Sequence, residues 1–324
     1  MLYPKCHVEW SKRNRDISGL SITFHFGKDD KFCYLRNLSD SQKYKKMKTI
    51  KHILLIGITI LVLGACKKNE TPAPDDQNIG DLSVEFDNIV GNKTLQLNTA
   101  NYVNASSETF NLSLVQYYIS NLKFTNTQGA EYVVSQDSSY FPILGNDRTS
   151  RFAEVNVPEG DYKSVTFTLG VDSIRSTMPV EQRQGVLDPT GGHDGAGMYW
   201  GWNSGYIFFK MEGTSPAVTS ADNKFRYHIG LYGGYDPTTP TRNNIKTITL
   251  DLSKGGVAEV RKGDRSNIHL LVDLMKVFNG PTNVSIAEHP TVMVSDFSSV
   301  VANNYQHMFS HDHTENGVRN ENEL

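Results

Sequence analysis

The chain has 324 residues, 38% of them apolar, enough for one large domain or two small ones. Its formal net charge of −3 hides a split: from Cys66 onward, 20 basic residues face 30 acidic ones, while residues 1–65 are basic. An acidic body argues against nucleic acid as a partner, and the lack of cysteine after Cys66 excludes a disulfide framework there.

Residues 1–46 show no clean hydrophobic period. Cys6, His7, His25 and Cys33 fit no standard zinc spacing. This segment reads as a non-native extension ahead of the true start at Met47. Residues 47–66, MKTIKHILLIGITILVLGAC, carry two lysines, an apolar run and small residues before a cysteine. That is the three-part plan of a secretory signal, and the apolar run is short for a membrane span. Its ending Leu63-Gly64-Ala65-Cys66 resembles a bacterial lipobox, which implies lipidation of Cys66. The expected location is therefore the cell envelope, lipid-anchored on the periplasmic side or at the cell surface. Residues 67–79 are polar with two prolines and read as a flexible linker.

The body follows in short alternating runs. In DLSVEFDNIVG, Leu82, Val84 and Phe86 alternate with polar residues and predict a first strand ending near Gly91. Short strands follow in TLQLN and over 118–125, with a strand or short turn over 110–115 and a return over 132–134 after the Gln128-Gly129 turn. SYFPIL is another, with Pro142 suggesting an edge. RFAEVNVPEGDYKSVTFTLGVDS reads as strand, turn and strand, with Val165, Phe167 and Leu169 inward. A short helix over 179–184 and a glycine-rich loop lead to GMYWGWNSGYIFFKMEG.

That stretch is the centre of the pattern. Alternation puts Met198, Trp200 and Trp202 on one side of an extended chain. After a turn at 203–205, Ile207, Phe209 and Met211 point one way; Tyr206, Phe208, Lys210 and Glu212 point the other. The strand FRYHIG then sets His228 on a face with Arg226 and Gly230, opposite Phe225, Tyr227 and Ile229. Two further strands lie in NIKTITLDLS and SNIHLLVDLMKVFNG. One amphipathic helix is predicted from Phe297 through Val300, Val301, Asn304 and Tyr305 to Met308, with Ser295 as its N-cap. The expected fold is all-β: a β-sandwich of about ten short antiparallel strands with one C-terminal helix, over residues 80–310, with a frayed polar tail at 311–324.

No nucleophile elbow, His-Glu-x-x-His or phosphate-cradling loop is present, so the chain reads as non-catalytic. His228 can be a metal ligand or a structural histidine bonded to backbone. Trp200 and Trp202 are core aromatics by default. His193, in the glycine-rich loop, is near enough in sequence to add a ligand. His307 and His311 are four apart and share a helix face if the helix extends that far; with His313 they read as a weak surface metal binder.

With these residues in hand, the body resembles the MbnP family of periplasmic or lipid-anchored copper-binding proteins. FDNIVG, YYISNLKF, VPEGDYKSVTFTLGVDS, GMYWGWNSGYIFFKMEG and FRYHIG carry the likeness. The resemblance implies copper bound by histidine, and by a tryptophan oxidised to kynurenine by a partner di-haem oxidase. Carried over by motif, the ligands are His228 with Trp200 or Trp202, for copper uptake or storage. Asn88 stands where some relatives have histidine. The alternative is a non-metal module of the same architecture that binds protein or glycan through its loops.

Overall fold

Alternating burial organises the chain into strands in the computed structural model, which describes residues 78–190, 197–202, 205–234 and 240–319. These all belong to one unit, Asn69–Leu324. The extension, the signal with Cys66, and most of the linker lie outside the described residues, as does His193.

The described strands, in order, are β1 (Ile79–Val90), β2 (Lys93–Thr94), β3 (Tyr102–Val103), β4 (Thr109–Asn126), β5 (Glu131–Val133), β6 (Tyr140–Leu144), β7 (Phe152–Pro158) and β8 (Gly160–Leu169). Then come β9 (Tyr199–Trp200), β10 (Gly205–Thr214), β11 (Lys224–Gly230), β12 (Lys246–Asp251), β13 (Ala258–Val260), β14 (Asp264–Asp273), β15 (Thr291–Val292) and β16 (Phe309–Arg319). They form two sheets. The five-stranded one runs β16-β14-β1-β2, with β7 also on β1. The eleven-stranded one runs β12-β8-β4-β10-β11-β15, with β13 on β8, β3, β5 and β6 on β4, and β9 on β10.

One apolar core lies between them. Leu82, Val84, Phe86, Ile268, Leu270 and Val272 enter it from one sheet; Phe110, Tyr117, Phe167, Phe209, Met211 and Phe225 enter from the other. Phe86, Phe167 and Phe309 meet edge-on, at centroid distances of 5.0–6.2 Å, and tie β1, β8 and β16 together. Edge-to-face geometry suits the aromatic quadrupole. A second cluster sits on the far face of the eleven-stranded sheet, with Tyr118, Met198, Trp200, Tyr206, Phe208 and Tyr232.

The chain is thus mostly β with few helices, in two curled sheets, but it is not a set of about ten short antiparallel strands. Sixteen strands are described, and β4 alone has 18 residues. β1 pairs β14 in parallel from Asp81↔Arg265 to Ile89↔Asp273, and β11 pairs β15 in parallel. Alternation within a strand fixes which side chains are buried, but it is the same for parallel and antiparallel neighbours. The C-terminal helix spans Ser298–Tyr305 and stops before His307, because the chain turns there to deliver Phe309 to the core. Ser295 does not cap it by side chain; the first helical residues follow Phe297. The tail is also corrected: residues 309–319 are paired with β14 rather than frayed.

Candidate functional site

The site is built on the outward face of β10 and β11. β10 carries its faces largely as alternation dictates: Phe209 and Met211 enter the main core, while Tyr206 and Phe208 enter the second cluster. Ile207 breaks the pattern by joining the second cluster, where a register shift between Ile207 and Phe209 marks a bulge against β11. On β11, Phe225, Tyr227 and Ile229 are buried in the main core, so His228 faces away from it.

Across the pair, Lys210 lies opposite His228 and Glu212 opposite Arg226. The His228 Nε2 meets Glu212 Oε1 diagonally at 2.7 Å. The imidazole is 13% exposed. Burial lowers its pKa, the Glu212 hydrogen bond partly restores it, and the Lys210 charge lowers it again; the net shift is downward. At neutral pH the ring is therefore neutral, the form that ligates metals. Lys210 Nζ donates to the Gly197 carbonyl at 3.1 Å, fastening the start of the tryptophan stretch to this face.

Gly230 follows His228 by two residues, on the same side of β11. A Cβ there would come within 2.8 Å of Trp200 Cζ3, so the buried Trp200 indole lies on the bare backbone of Gly230. Trp202 packs against Trp200 with centroids 5.5 Å apart and the rings tilted by 43°. Trp202 is 67% exposed, so it is not the core aromatic that strand alternation predicts. β9 ends at Trp200, and the turn that follows carries Trp202 outward. The structure thus puts one imidazole, one carboxylate, one ammonium and an indole pair along the same face. Among the described residues, His228 and Glu212 belong to no group of three metal-ligating side chains.

Asn88 is on the other side of the eleven-stranded sheet from His228. It points into the main core and accepts a hydrogen bond from Tyr117 at 3.0 Å. The three C-terminal histidines do not act together. His307 follows the helix and contacts Gln306 at 3.2 Å. His311 contacts Thr314 Oγ1 at 2.9 Å, and burial lowers its pKa. His313 instead meets His269 and Asp312. Nothing in the sequence pattern marks His269, since its partners come from a strand that alternation leaves as tail.

Fold and face together describe a two-sheet β protein with a half-buried histidine beside paired indoles. The chain belongs to the MbnP family, whose model matches residues 79–294, about two thirds of it. Among solved structures it is similar to MbnP from Methylosinus trichosporium, at 16% identity and a TM-score of 0.47, over 67% of this chain and 82% of that one. The comparison with curated proteins gives no match.

Proposed function

We propose that this is a non-catalytic, copper-binding protein of the cell envelope, tethered by a lipid on Cys66, that holds copper as cargo on the His228 face for uptake or storage. The observation that carries the reading is the seat of Trp200 on Gly230, which brings the indole pair to the face that holds His228. Neutral imidazole is a good copper ligand. The donor set fits copper in kind, with His228 as the nitrogen donor and Glu212 as its carboxylate neighbour. In number it is short, and the flanking Lys210 and Arg226 oppose a bare cation. His193 supplies the further nitrogen in this reading. It is four residues before Gly197, a reach of at most ~14 Å. A di-haem oxidase would act on Trp202, the indole open to a partner at 67% exposure.

Copper titration of the full chain tests this. One equivalent should bind at the His228 face, and His228→Ala should weaken that equivalent at least tenfold; a titration identical to wild type in that variant overturns the reading. Oxidation of one tryptophan to kynurenine would add about 4 Da to the intact mass, by covalent chemistry alone. The exposed Trp202 ring beside Trp200 also favours a second reading, a platform for a glycan ring. In that case Trp202→Ala would abolish oligosaccharide binding, and His228→Ala would not.

A further inference from the structure

We infer that His269, Asp312 and His313 form a separate binding site for a divalent transition-metal ion, on the outer face of the five-stranded sheet. It shares no residue with the His228 face and stands or falls without it.

The site arises from a bulge. In the pairing of β14 with β16, His269 is opposite His313 and Leu270 is opposite His311. Asp312 is the extra residue between them. Such a bulge re-aims a side chain. Leu270 faces the core and His269 faces out. His311 turns toward Thr314 and the backbone of Gly255. Asp312 and His313, though consecutive, both turn toward His269.

The result is a convergence of three donors. The Nδ1 atoms of His269 and His313 both approach the same oxygen, Asp312 Oδ2, at 3.2 and 2.9 Å. The three ligand atoms lie within 4.8 Å of one another, and the two rings are 4.8 Å apart. Donors held at ~2.0–2.2 Å from one ion are separated by roughly 2.8–3.6 Å in octahedral or tetrahedral geometry, and both histidine–aspartate distances fall in that range. Two imidazoles and one carboxylate suit Cu²⁺ and Zn²⁺, with Cu²⁺ the tighter of the two.

A further feature supports a ligand role. The other nitrogen of His313, Nε2, lies 3.5 Å from Glu315 Oε1. A metal-bound imidazole ordinarily gives its second N–H to a carboxylate, which fixes the ring. On the neighbouring strand, where Glu85 is the register partner of His269, Arg151 is held by Glu85 and Asp87 at 3.5 and 3.1 Å. Side-chain exposures of 45% for Asp312 and 47% for His313 leave room for water on the remaining coordination positions. An ion here would clip β16 to β14.

The test uses the full chain, stripped with chelator and titrated with Zn²⁺ or Cu²⁺ alone by calorimetry and thermal melts. Wild type should bind an equivalent that survives His228→Ala. His313→Ala and Asp312→Asn should each weaken it at least tenfold and abolish the metal-induced rise in Tm. In the His228→Ala background, bound Cu²⁺ should show two nitrogen couplings by electron paramagnetic resonance, and one when His269→Ala is added. Because Asp312 and His313 are half exposed, metal-free melts of their variants should match wild type. Equal affinity in wild type, His313→Ala and Asp312→Asn overturns the site, as does binding lost instead with His307→Ala or His311→Ala.

Discussion

Gly230 sets the indole cluster because its missing side chain is the seat of Trp200. A methyl group there would meet Trp200 and the Tyr206 carbonyl at once. Gly230→Ala should therefore cost about 1–3 kcal/mol, the usual range for overpacking, and should shift Trp200 emission. Urea unfolding measures the first and fluorescence the second. Unchanged stability and emission would mean that the indole is not on the glycine. Trp202→Ala is the contrasting case. Its exposed ring should contribute within about 0.5 kcal/mol to stability, while its loss removes the red-shifted part of the emission, best read with Trp10→Phe in the background. A large destabilisation by Trp202→Ala would contradict its exposure of 67%.

Elements are held by contacts that no local pattern announces, and Glu108 is an example. It precedes the long run of β4 and accepts from Asn104 at 2.6 Å, from the Ser285 hydroxyl at 2.8 Å, and from the backbone N–H groups of Ile286 and Ala287 at 2.7 and 2.9 Å. Burial raises its pKa, but these hydrogen bonds lower it further, to a net value below the ordinary 4.5. A carboxyl whose folded pKa is depressed stabilises the fold above its unfolded pKa, and that stabilisation is lost as pH falls through the folded one. Glu108→Gln should thus lower stability by about 1–2 kcal/mol near neutrality. The gap to wild type should close as the pH falls through the ordinary 4.5 and then through the lower folded pKa. Thermal melts along that series check it, and a gap independent of pH would exclude the carboxylate as the cause. The same limit explains what could be read from the sequence. Alternation in FRYHIG places His228 opposite Phe225, Tyr227 and Ile229, as found. It cannot supply Glu212 as partner, because diagonal contacts depend on the register between strands. It fails outright at His311-Asp312-His313, where strict alternation would put the two histidines together and the bulge separates them.

At the scale of the whole molecule, the chain closes on itself late. β1 lies between β7 and the C-terminal β14, and Ser83 bonds Asn267 across 184 residues. β16 then covers β14, and its Phe309 fills the space between Phe86 of one sheet and Phe167 of the other. Residues 309–319 lie beyond the stretch that the family model matches, yet they complete the shared core. Phe309→Ala should cost about 3–5 kcal/mol, or roughly 6–20 °C in Tm for a domain of this size. A single core has a further consequence. Trp200 and Trp202 report on the eleven-stranded sheet, far from the truncated ring in sequence, while far-UV circular dichroism reports on both sheets. If the sheets depend on one core, both signals should move together to the same lower midpoint in Phe309→Ala, as in a two-state transition. A tryptophan midpoint left at its wild-type value while the dichroism midpoint falls would mean that the eleven-stranded sheet stands without its partner, and Phe309 would then be a fastening of the C-terminal strand alone.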